Sequence, residues 1–578
     1  MLGVYIGSIM LLNIPYVQQV ISTVVAEKLS QHLNTRLTIG RINMGLLNRV
    51  IIDNVRLEDQ SRKEMLRIAR LSAKFDILPL FEGKVSVSSV QLFGFNIQLN
   101  RPTPESPSNF RFIVDAFASK DTVKRDNQLD LRINSLLVRR GRVSYDVLSE
   151  QETPGRFNAS HLHLHNIIGN LSVKALNKDS LNVGIKRLSL DEEASGFSLK
   201  KLSLKLTANH KRMEMHNFAI ELPESKVEMD TIRMVYDQPG ALEHFSEQVR
   251  FDFRTRSSYI TLKDISPFVP SLASFESPVD ITLEANGTID HLNCPRIEIT
   301  ADNRQIRLAG NILFEKLSHP RQMYINGTLS ELAVNTHGID FLADNLSPKS
   351  KKVSPMLKRL GSIRFRGDIA GRISDLMVNG QLNTSLGTIR ADLKLKSDQK
   401  QSLLYSGAVQ TKDFRLGTLL DNSKMGGITL KVKVDGRQVA KQQPLLDVKG
   451  TIDALEYSKH RYENIVVDGK YEHVGFDGKI TLDDPNGSIH MNGGFNVTSK
   501  IPVFNFSAIV DKLRPNDLNL TTGYPDTEVS LRLRANFTGR SVNDMIGEIN
   551  IDSLQFASPD KEYFMKNMNI LANRDKGE

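Results

Sequence analysis

The chain has 578 residues, 40% hydrophobic and 24% charged, with no tryptophan; this exceeds one ordinary domain, and a mean hydropathy of −0.27 excludes a multi-span membrane protein. Lysine and arginine number 75 against 66 aspartates and glutamates, a formal charge of +9 scattered along the chain, which fits weak attraction to anionic surfaces and excludes the clustered basic footprint of a nucleic-acid binder. The lone cysteine, Cys294, excludes both a disulfide framework and a cysteine-rich metal site.

The N-terminal run from Leu2 to Leu12 carries no charge, with Leu2, Val4, Ile6, Ile9, Leu11 and Leu12 as its apolar residues. Spanning a bilayer takes about 20 apolar residues. The run therefore reads as the outer half of a transmembrane helix whose first half lies upstream, because it lacks the basic n-region and cleavage site of a secretory signal. A buried core helix is the plainer alternative. After Pro15, the spacing of Val17, Val20, Ile21, Val24 and Leu29 predicts an amphipathic helix ending near residue 33.

Nearly everything beyond reads as strand. A first β module is expected over 34–101, a Pro/Ser break over 102–108, a second β region over 109–264 and a series of β modules over 265–578. Ile389, Ala391, Leu393 and Leu395 alternate with Arg390, Asp392, Lys394 and Lys396. Ile428, Leu430, Val432 and Val434 alternate with Thr429, Lys431 and Lys433, and Val529, Leu531 and Leu533 with Ser530, Arg532 and Arg534. Such period-two segments predict an all-β chain built on antiparallel sheet with one apolar and one charged face. Loosely similar segments begin at Ile265, Ile339, Phe414 and Leu513, spaced by 74, 75 and 99 residues, and suggest a repeat of one short helix or turn plus several strands. A basic loop spans 347–355. The chain stops straight after a strand-like stretch, which suggests that the sequence continues.

Chemistry is sparse. His161, His163 and His165 share one face of a strand, but side chains two apart lie about 7 Å from each other and no acidic residue accompanies them at ligand spacing, so they read as a solvated strand face and not a metal site. Asp483 and Asp484, before Pro485-Asn486-Gly487, read as a turn. Phosphate-cradling loops, GxSxG and HExxH are missing from the sequence. No catalytic site and no cofactor are expected. The apolar strand face must still be covered, because leaving it in water costs about 25 cal/mol per Å². A second sheet, a curled closure of the same sheet or bound acyl chains would each serve.

Five segments carry a family resemblance: Leu12 to Gln18 (LNIPYVQ), Leu37 to Asn43 (LTIGRIN), Leu47 to Val55 (LNRVIIDNV), Ile77 to Val85 (ILPLFEGKV) and Val90 to Leu99 (VQLFGFNIQL). In order and spacing the first hundred residues resemble the N-terminal part of the translocation and assembly module (TamB) family, within the AsmA-like, bridge-like lipid-transfer group, and its Bacteroidota-type members especially. The remainder is similar in texture alone. The resemblance implies a single inner-membrane helix of a Gram-negative bacterium, and a periplasmic body whose extended β-sheet curls into a taco-like groove. It implies phospholipids as cargo, or help in outer-membrane protein assembly with a barrel partner; the family's C-terminal domain, which would meet that barrel, is not recognisable before Glu578. On this view the alternating apolar residues from Ile389 to Leu533 line the groove, although they would equally suit the core of a sandwich. A scaffold binding outer-membrane strands by β-augmentation is the rival reading. A carbohydrate-active enzyme, which needs paired carboxylates about 5–9.5 Å apart, is a distant third.

Overall fold

The computed structural model describes residues 14–45, 48–75, 87–117, 133–176, 180–319, 321–346, 355–397, 402–439, 445–472, 475–496, 501–540 and 544–572. They form 29 strands of a largely antiparallel sheet with a few short helices, so the chain is mostly β, as its alternation predicts. Two compact units divide it, residues 1–302 and 303–578.

The first unit opens with the helix Pro15–Leu33, which has proline in its first turn and ends at Asn34 in the left-handed conformation (φ 48°). The Thr35 amide reaches back to the Ser30 carbonyl at 3.1 Å, closing the last turn. The helix turns its buried face slightly from the one that its spacing predicts: Val17, Ile21 and Leu29 of that face are half-buried. Gln18, Ser22, Ala26 and Leu33 are buried against the sheet, whereas Tyr16, Val20 and Val24 are exposed. Small side chains win the inward face because they let the helix lie close to strand Leu37–Gly45, and Ser30 Oγ accepts the Leu37 amide at 2.9 Å. Among the described residues no helix is long and apolar enough to cross a membrane. Leu2, Val4, Ile6, Ile9, Leu11 and Leu12 lie outside the described residues, as do 77–85 of the family-like segments and 347–354 of the basic loop.

Strands Leu37–Gly45, Arg49–Glu58, Glu64–Phe75 and Val87–Arg101 form an antiparallel meander. The next strand, Ile133–Val147, pairs with Val87–Arg101 in parallel, an exception to the antiparallel expectation. A parallel pair cannot be closed by a hairpin. Residues 102–132 supply the crossover, beginning with the Pro/Ser break; their helix Arg111–Phe117 packs Phe112, Ile113 and Ala116 against Leu33, Leu57 and Met65. Antiparallel pairing then resumes from His161–Leu176 through Lys226–Val235 to His291–Ala301. One apolar cluster centres on Ile68, Phe95, Val138 and Ile167, and another on Ile232, Met234 and Val249.

In the second unit every strand from Ile306–Glu315 to Glu562–Ala572 is antiparallel to the next in sequence. Four described links are two-residue hairpins; in the one after Tyr457, Ser458 and Lys459 both have positive φ (50° and 67°), the primed-turn geometry that matches strand twist. Three longer links contain the helix Thr336–Leu346, the helix Leu416–Leu420 and the turns after Leu513. The similar segments at Ile339, Phe414 and Leu513 fall on these three links, and the one at Ile265 falls on paired 3-10 turns of the first unit.

Candidate functional site

Register turns isolated alternating strands into one surface. Ile389 sits opposite Leu382 and Thr411, Leu430 opposite Thr411 and Ile452, and Leu531 opposite Val510 and Leu554. The strands between complete the row through Ile465, Leu482 and Ile489. Two residues along, Ala391, Val409, Val432, Val467, Ile480, Met491, Ala508, Leu533 and Ile551 form a second row. Leu393, Val434 and Val448 belong to a third, which glycines continue. All eleven residues singled out in the sequence face the same side; ten are partly exposed and Ile428 alone is buried.

A fourth row was singled out in the sequence only at Leu395. Leu395 pairs with Tyr405, and the row runs on through Leu446, Tyr471, Phe476, Phe495, Phe504 and Phe537. The Phe504 and Phe537 rings stack at 4.7 Å. No single strand reveals this row, because each contributes one or two aromatics and the register that aligns them is not written in any local segment.

The two ends of the strands differ. At the end away from the aromatic row, Leu416 and Leu419 of the short helix pack on Leu386, Phe414 and Ile428. Further along that end, Leu518 is fully buried against Tyr462, Leu482 and Leu513, and the Tyr462 hydroxyl donates to the Leu518 carbonyl at 2.7 Å. Ile428 is therefore part of a protein-filled cap, against which Ile389 and Leu430 of the first row also pack. Within the surface, Gly407 (φ 143°) and Gly450 (φ 157°) bring neighbouring strands close: a Cβ at either would collide with the carbonyl of Asp392 or Lys431.

The opposite face is charged. Lys394, Lys433, Lys449 and Lys470 stand among Asp392, Asp435, Asp447 and Asp468, with Lys449 Nζ 2.7 Å from Asp468 Oδ2. A cavity of about 990 Å³ is lined by these residues together with Met377, Ala408, Val448 and several glycines, with Leu393 and Val434 the two sequence candidates that reach it. Its charge pairs neutralise one another, which leaves the broad apolar surface as the chemically distinctive feature.

The histidine strand departs from the solvated-face expectation. His161 is buried, its Nδ1 lies 3.0 Å from Asp146 Oδ1 and its Nε2 lies 3.1 Å from the Glu150 carbonyl; His163 Nε2 approaches the same Asp146 oxygen at 3.1 Å. The acidic partner was hidden in the sequence because it comes from the facing strand, where Asp146 pairs with His161. The hydrogen bond that His161 donates to the Asp146 carboxylate holds the imidazole pKa above its ordinary value, against the opposing effect of burial. Asp484 behaves as a turn residue, with its carboxylate accepting the Asn486 amide at 2.9 Å.

Comparison of the chain with family models, with curated proteins and with solved structures finds no match.

Proposed function

We propose that this chain binds phospholipid along the apolar face of its second unit and conveys it, as an inner-membrane-anchored periplasmic protein of outer-membrane biogenesis, without a catalytic site or cofactor. The observation that carries the reading is the alignment of apolar rows across twelve successive strands, Asp375–Thr384 to Glu562–Ala572, with most side chains left partly exposed. A packed sandwich core would bury them. Acyl tails would lie on these rows, as in the taco-like groove that the family resemblance implies, while head groups would stay at the wet, aromatic-edged side; tyrosine suits such a boundary, with an apolar ring and a polar tip. The capped end supports a direction of entry from the aromatic edge.

The protein scaffold is the second reading, and strand Glu562–Ala572 favours it. Tyr563, Phe564 and Leu571 are exposed there, and among the described residues it pairs with Ile546–Ala557 alone. Mass spectrometry of organic extracts from the purified protein, beside a delipidated sample re-exposed to labelled phospholipid, separates the two. Stoichiometric phospholipid supports conveyance; lipid-free protein that refuses reloading favours the scaffold.

A further inference from the structure

His161 is enclosed by acceptors on both sides. Its Nδ1 meets the Asp146 carboxylate at 3.0 Å and its Nε2 meets the Glu150 carbonyl at 3.1 Å. Neither partner can donate a proton when Asp146 is ionised, and a neutral imidazole has one N–H to give. Both contacts are satisfied together only by the imidazolium; neutral His161 would set a lone pair against one of the two oxygens, in a site where an unmet buried acceptor is costly.

We propose that His161 is a pH-operated latch: held as an imidazolium between Asp146 and the Glu150 carbonyl, it fastens residues 148–160 to the sheet, and loss of its second proton to solvent releases them. The ends of the segment are tied separately, the Leu148 and Ser149 amides donating to the Arg101 and Pro102 carbonyls at 3.0 Å and the Val147 amide to the Ser160 carbonyl at 2.8 Å, which leaves the stretch between them to His161 and two further amides. The Gly155 amide donates to the Ala194 carbonyl at 2.9 Å and the Phe157 amide to the Pro267 carbonyl at 2.8 Å, with the Phe157 ring 4.7 Å from Phe268. The latch therefore governs a loop that joins two strands of the sheet to the turns at 262–272.

The surroundings reinforce this charge state. Asp146 comes from strand Ile133–Val147, and Glu152 of the loop itself adds negative potential. From strand Leu181–Glu192, Glu192 spends its carboxylate on the His163, Ala194 and Ser195 amides. His163, partly exposed beside it, shares the Asp146 oxygen. Because the folded pKa is raised, the latch's contribution is complete below the ordinary histidine value of 6.5 and lost as pH rises through the folded value.

The test follows hydrogen exchange in the full chain by mass spectrometry from about pH 5 to 9, a window that brackets histidine titration. Exchange at the imidazole C2 position reports His161 titration, and amide exchange, corrected for its intrinsic pH dependence, reports the loop. Expected are a His161 midpoint above 6.5 and loss of amide protection over 148–160 at that same midpoint. Each unit between closed and open midpoints corresponds to about tenfold in the closing equilibrium. Asp146→Asn should lower the midpoint of both signals together, and His161→Gln should abolish the step. A His161 midpoint at or below 6.5, or loop protection that stays flat through its titration, overturns the proposal. Should His161→Gln fail to fold, Asp146→Asn, which keeps the histidine, carries the same test.

Discussion

The buried carboxylate of Glu192 is the acid-side counterpart of His161. Burial pushes its pKa upward, but the Ser195 hydroxyl and the Ser195, Ala194 and His163 amides together outweigh burial and leave it below the ordinary 4.5. Its contribution to stability is therefore present above 4.5 and lost as pH falls through the lower folded value. Amide protection over 193–198, corrected for the intrinsic pH dependence of exchange, should fall on acidification, and Glu192→Gln should remove that acid dependence while weakening the turn at neutral pH. At the capped strand end, Leu518 has no exposed surface, so Leu518→Ala should cost about 2–5 kcal/mol in denaturant unfolding. Tyr462→Phe, which loses one hydrogen bond to a backbone carbonyl, should cost about 1 kcal/mol. A Leu518→Ala protein as stable as the parent would mean that the 514–520 segment is not a structural cap.

The helix Pro15–Leu33 illustrates how an element's inward face is chosen. Spacing alone favoured Val20 and Val24, yet these are exposed while Ser22 and Ala26 are buried, because close approach to strand Leu37–Gly45 rewards small side chains. Val24→Glu should therefore change stability by less than about 0.5 kcal/mol, as for an exposed site. Ala26→Leu should destabilise by about 1–3 kcal/mol through overpacking. Thermal unfolding of the two variants discriminates, and the reverse order would restore the valine-inward helix. The short links of the second unit are elements of another kind: Leu416 and Leu419 close the apolar rows at one end, so segments that read as repeat markers in the sequence serve as covers for sheet ends.

Strand existence across the whole molecule was legible because alternation such as Ile389 to Lys396 leaves little else that could solvate one face and bury the other. Legible too was the shared orientation of the eleven apolar candidates. The aromatic row, the Asp146 partner of the histidines and the parallel pair were not legible, since each depends on which strands become neighbours, information absent from any one segment. The same long-range register frames the functional test. Leu430→Asp with Val432→Asp places two carboxylates in adjacent rows of the partly exposed surface; the expected outcome is loss of most phospholipid binding with far-ultraviolet circular dichroism retained. Global unfolding of that variant would instead identify the rows as a closed core. The parallel pair of Val87–Arg101 with Ile133–Val147, the one such pair among the described residues, has a kinetic corollary. Antiparallel neighbours joined by hairpins can be added one at a time as a chain lengthens, each closing a small loop. The parallel pair must await the crossover, whose closure entropy is met before any ladder bond repays it. Strand growth is thus incremental on either side of this junction and halting at it, so the order in which the sheet assembles is written into this change of direction.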